Sequence, residues 1–126
     1  MKIVNLIARI LLGLVFLVFG LNGFFNFLPM PPLPGGPAGA FMGALLSTHY
    51  FLVVKALEVT GGALLLVNRR VPLALTLLGP VIVNIFLFHA FMEPSGLPMA
   101  IIIVLLWGVS FWANKAAFSG ILGSGK

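Results

Sequence analysis

Four apolar runs, each close to the 20 or so residues that carry a helix across the hydrocarbon, leave this 126-residue chain few ways to fold. They are separated by short breaks: Pro29-Met30-Pro31-Pro32-Leu33-Pro34-Gly35-Gly36-Pro37, then Asn68-Arg69-Arg70, then Glu93-Pro94-Ser95-Gly96. In lipid no water satisfies an exposed N–H or C=O, so an apolar run of this length must close its own hydrogen bonds as a helix. Only 7% of residues are charged, against roughly 25% in a soluble domain. The expected fold is all-α: a polytopic membrane protein, a four-transmembrane-helix bundle forming one domain over residues 1–126. The spans fall at about residues 10–28, 50–67, 72–92 and 97–113.

The first run follows Arg9 and exceeds the 7–15 apolar residues of a signal peptide, with no small-x-small cleavage site after it, so it reads as a retained helix. Residues 39–50 read as a short helix lying at the membrane surface. Lys2 and Arg9 precede span 1, Arg69 and Arg70 join spans 2 and 3, and Lys115 and Lys126 follow span 4. The other two loops carry no Lys or Arg. Under the positive-inside rule both termini and the middle loop are cytoplasmic. The net charge of +5 therefore belongs to membrane ends and does not indicate nucleic acid. Without cysteine the chain has no disulfide, thiol relay or iron–sulfur ligation of its own. Trp107 and Trp112 suit the aromatic belt at the inner interface.

Within this frame the exceptional stretch is Lys55-Ala56-Leu57-Glu58-Val59-Thr60-Gly61-Gly62. Residues three apart share a helical face, so Lys55 and Glu58 can pair, and the two glycines suit close packing. A charge at a helix centre costs about 2.5–3.5 kcal/mol on insertion scales, whereas each large aliphatic residue contributes only about 0.3–0.6. Lys55 and Glu58 together thus cost roughly 5–7 kcal/mol and leave span 2 marginal unless they pair and face the bundle. The topology places Asn22, His49, Lys55, Glu58, Asn84, His89 and Glu93 in the outer half of the bilayer or at its outer surface. Glu58, Lys55, Asn84, His89 and Asn22 are accordingly the expected ligand-binding residues, in an outer-half pocket lined by Phe51, Phe86, Phe88 and Phe91.

Structural readings stand beside these. Lys55 and Glu58 can be an architectural ion pair, Asn22 and Asn84 can bond between helices, His89 can be an interfacial histidine, and His49 a solvated one. His49 and His89 share a depth, so a bis-histidine or metal arrangement with Glu93 can be drawn, but no ligand spacing supports it and no metal is expected. Gly13, Gly20 and Gly23 lie near one stripe of span 1 and suit the close approach of another helix.

The runs Ala8-Arg9-Ile10-Leu11-Leu12-Gly13 and Phe19-Gly20-Leu21-Asn22-Gly23 resemble the first helix of the DoxX family. Ala56-Leu57-Glu58-Val59-Thr60-Gly61-Gly62-Ala63-Leu64-Leu65-Leu66 resembles that family's second-helix signature, an acidic residue followed by paired glycines and a leucine run. The stretch 72–89 is similar to its third helix, so the resemblance covers about residues 8–118. It implies a multi-pass protein of the bacterial inner membrane, matched at Glu58 and Gly62, and a link to membrane oxidoreductases such as thiosulfate:quinone oxidoreductase. Asn22 stands where many members have a small or polar residue before a basic one, but here Gly23-Phe24-Phe25 supplies no base.

Three functions follow as expectations. The first is a quinone- or lipid-binding subunit serving an oxidoreductase partner, with quinone held non-covalently and Glu58 or His89 passing a proton. The second is a small homodimeric proton-coupled transporter with Glu58 as the coupling carboxylate. The third is a non-catalytic scaffold or assembly factor whose polar cluster serves packing alone.

Overall fold

A computed structural model describes residues 2–29 and 32–123. Met30 and Pro31 of the proline-rich break, and Lys126 of the basic tail, lie outside the described residues. The order of elements is α1 (Lys2–Phe25), α2 (Gly36–Leu46), α3 (Tyr50–Val67), α4 (Val71–Phe91), a 3-10 turn (Pro94–Gly96), α5 (Leu97–Ala113) and a second 3-10 turn (Lys115–Phe118). There is no strand among the described residues, and α1, α3, α4 and the first 3-10 turn together with α5 are long and apolar enough to cross a membrane.

The first helix begins at Lys2, not near Ile10, and ends at Phe25. Its 24 residues rise about 36 Å, more than the ~30 Å of hydrocarbon, so the turn bearing Lys2 and Asn5 extends past the lipid tails. It stops because Asn26 turns left-handed (φ 53°), a conformation asparagine tolerates. Asn22 then holds the exit: its Oδ1 accepts from the Leu28 N–H at 2.7 Å. Helix α3 ends the same way on Asn68 (φ 56°), with the Arg69 N–H donating back to the Leu64 carbonyl at 3.0 Å. Pro72 lies in the first turn of α4, where its missing N–H costs nothing.

The four long helices form a closed ring in which α1 packs on α3, α3 on α4, α4 on α5 and α5 on α1. The termini of the bundle meet at one end, since Lys2 and Asn5 share a cavity with Ala113 and Asn114. The core runs through Leu12, Phe16, Leu65, Leu75, Leu78, Ile82 and Ile103. The α1–α3 seam is the tightest. A Cβ on Gly62 would lie 2.5 Å from Leu17 N and 2.8 Å from the Gly13 carbonyl oxygen, so two backbones touch there with no room for a side chain. Large apolar residues such as Leu14, Val53, Leu73, Val83, Ile102 and Leu105 point outward, as they do on a bundle whose solvent is hydrocarbon. Helix α2 lies against α3 and stacks Phe41 on Phe88 of α4, with ring centroids 5.4 Å apart.

Trp107 is half-buried against α4. Its indole N–H donates to the Leu75 carbonyl at 3.0 Å and ties α5 to α4. Trp112 is exposed, with the Lys115 ammonium 3.7 Å from its ring centre.

Candidate functional site

Helix α3 carries Lys55 and Glu58 five and eight residues after its first residue, about 8 and 12 Å from that end at 1.5 Å per residue. Lys55 Nζ lies 3.2 Å from Glu58 Oε1, and Glu58 is only 5% exposed. Both face α1. A Cβ on Gly20 would stand 3.1 Å from Glu58 Cβ and 2.8 Å from Val59 Cγ2, and one on Gly23 would overlap the Lys55 stem. These two glycines of α1 make the trough in which the ion pair lies. The Lys55 ammonium is also 5.1 Å from the centre of the Phe51 ring, which covers it from its own helix.

The other expected site residues do not join the pair. Asn84 is exposed on α4, and its side-chain amide donates to the Pro80 carbonyl of the same helix at 2.8 Å. His89 donates from Nδ1 to the Ile85 carbonyl at 2.9 Å, again one turn back on α4, and a Cβ on Gly96 would overlap its ring. Asn22 is buried, but its oxygen is spent on the turn after α1. Among the described residues no group of three His, Asp or Glu side chains lies close enough to hold a metal ion, so His49, His89 and Glu93 make no ligand set.

Two cavities lie elsewhere. One is a groove of about 340 Å³ between α4 and α5, lined by Gly79, Ile82, Val83, Phe86, Val104 and Trp107. Every lining side chain is apolar except the Trp107 indole, whose N–H is already taken by Leu75. The groove therefore offers hydrocarbon contact and aromatic faces but no free hydrogen-bond donor. The second, of about 250 Å³, lies at the end where the termini meet and includes Lys2, Asn5, Arg9, Asn68, Ser110 and Asn114.

None of these second-cavity residues was singled out for a site from the sequence. The signal available was spacing: Asn5 with Arg9, and Ser110 with Asn114, stand four apart and so share a helical face at the ends of α1 and α5. Comparison with protein-family models, curated proteins and solved structures finds no match to this chain.

Proposed function

We propose that this chain is a small, non-catalytic, DoxX-like subunit of the bacterial inner membrane that holds a lipid or the isoprenoid tail of a quinone beside an oxidoreductase partner. The observation that carries the reading is the α4–α5 groove: about 340 Å³, open to the lipid side, with Phe86 and Trp107 as its aromatic walls. Such a wall rewards a hydrocarbon chain by area and dispersion contact. A quinone ring needs donors for its two carbonyls, and this groove has none to give. Tail binding is therefore favoured over headgroup chemistry.

The Lys55–Glu58 pair favours a packing role within the same reading. It lies in the glycine trough between α1 and α3, and neither cavity is lined by it. A proton-coupled transporter with Glu58 as its carrier requires an aqueous path to that carboxylate, and the buried seam around Glu58 gives this alternative no support.

Native mass spectrometry of detergent-extracted protein tests the proposal. The wild type is expected to retain an apolar ligand, isoprenoid quinone or phospholipid, and Gly79→Leu, which fills the groove floor beside Trp107, to lose it. Equal retention by the two proteins would refute tail binding at this place. Counterflow uptake in proteoliposomes, abolished by Glu58→Gln, would instead establish the transporter.

A further inference from the structure

At the end where the termini meet, the molecule buries a hydroxyl that it does not itself satisfy. Ser110 on α5 is 2% exposed, and its Oγ is the one buried side-chain nitrogen or oxygen among the described residues without a hydrogen-bond partner. Leaving a hydroxyl in that condition costs about 1–3 kcal/mol. Ser110 lines the 250 Å³ cavity, where a single trapped water would need only about 10–15 Å³. Around it stand the cations of Lys2 and Arg9 and the amides of Asn5, Asn68 and Asn114, the last donating one of its two N–H groups to the Ser110 carbonyl at 2.8 Å.

The sign of the cavity follows from what is missing as much as from what is present. The chain has two acidic side chains, Glu58 and Glu93, and neither lines this cavity; Glu58 is already paired with Lys55. No acidic side chain faces Lys2 or Arg9 there. Helix ends of both signs meet at this level, α1 and α4 starting and α3 and α5 finishing, so their dipoles largely cancel. Formal charge then decides, and it is positive. Arg9 donates from Nη1 to the Leu65 carbonyl near the end of α3, which fixes the guanidinium across the cavity wall and leaves its other N–H groups for a guest. Cations, amide donors and a hydroxyl around one space are the donor set that phosphate oxygens accept from.

We propose that this cavity binds a phosphate group, with Arg9 and Lys2 supplying charge and Ser110, Asn5 and Asn114 supplying hydrogen bonds. The group can belong to an anionic phospholipid whose tails run down the bundle, as basic pockets at cytoplasmic helix ends accept lipid headgroups, or to a free phosphate ion. The inference stands on Ser110 and its surroundings and does not depend on the α4–α5 groove.

Titration calorimetry on the purified full chain in neutral detergent tests it with three probes: inorganic phosphate, short-chain phosphatidylglycerol and short-chain phosphatidylcholine. Phosphatidylglycerol is expected to bind, about tenfold more weakly to Ser110→Ala and severalfold more weakly, with a shallower salt dependence, to Lys2→Gln. Ser110→Ala removes one oxygen from a site where it has no protein partner, so its unfolding midpoint should match or exceed that of the wild type, which separates lost binding from lost fold. Binding of phosphatidylglycerol alone assigns the site to a lipid headgroup, and binding of phosphate as well assigns it to the phosphate itself. Binding of phosphate without lipid assigns it to the free ion. If neither anion binds, if phosphatidylcholine binds equally well, or if Ser110→Ala and Lys2→Gln bind as the wild type does, the proposal is overturned.

Discussion

Removing Lys55 and Glu58 singly and together is the sharpest test of how this bundle is held. The two charges stand 3.2 Å apart, so at an effective dielectric of about 20 their attraction is about 5 kcal/mol. Taking both out of water costs several kcal/mol each, so the intact pair contributes close to nothing net. A lone charge left in the seam keeps its cost and loses its compensation. Lys55→Met or Glu58→Met alone should therefore lower stability by about 3–5 kcal/mol, a large part of the 5–15 kcal/mol that holds a typical domain. The double variant, which fills the same trough with thioether side chains, should fall within about 1 kcal/mol of the wild type. Equilibrium unfolding in mixed micelles, followed by the fluorescence of Trp107 and Trp112 on α5, measures all four corners of the cycle. The expected coupling, the two single costs together less that of the double variant, is about 6–10 kcal/mol. Additive costs would show that each charge has its own partner elsewhere, and would refute the closed pair on which the packing role depends.

Other expectations are simpler. Gly62→Ala should part α1 from α3 and cost about 1–3 kcal/mol, because the new methyl meets the Leu17 and Gly13 backbones, which cannot turn aside; Gly43→Ala in α2, with nothing within 4 Å, should be neutral or mildly stabilising in the same micelle assay. Asn84→Leu should leave stability unchanged or raise it and leave ligand retention intact, since its amide bonds only to its own helix; a loss of ligand would return Asn84 to the site. Trp107→Phe should cost about 0.5–1.5 kcal/mol through the lost bond to Leu75, read as a lower unfolding midpoint. Because the chain lacks cysteine, Thr48→Cys and Ala117→Cys report the two ends; an impermeant maleimide should label Thr48→Cys in intact cells and Ala117→Cys only after permeabilisation, and the reverse would overturn the cytoplasmic placement of the termini.

The spans are legible because a membrane helix is specified by length and by its breaks, and Pro29, Asn68 and Pro94 each stand one to four residues past the end of a long helix. The inward rotation of Lys55 and Glu58 was legible because the cost of exposing two charges to lipid leaves one answer. The rotation of α4 was not. In a soluble helix polar residues mark the outer face, but here lipid is as apolar as the core, so the pattern of Leu, Ile, Val and Phe on Val71–Phe91 carries no direction. A pocket that holds Asn84 and His89 presumes that buried amides and imidazoles take partners on another helix. Both instead bond one turn back, to Pro80 and Ile85. The start of α1 is hidden as well: Lys2 and Arg9 read as flanking charges, yet residues 2–9 form two further helical turns.

These outcomes share a cause that bears on where function resides. Polarity inside a membrane bundle is costly wherever it occurs, so polarity alone does not distinguish a ligand site from an element of packing. What distinguishes them is whether the protein has already supplied the partner. Glu58 is buried and satisfied by Lys55, and Asn84 and His89 are satisfied within α4. Each has a partner inside the protein. The Ser110 hydroxyl is equally buried and has no partner, and the cations near it face no acidic side chain. The free energy left unrealised at that end is what a bound anion can recover, whereas at the Lys55–Glu58 seam a ligand would first have to break a pair that is already made.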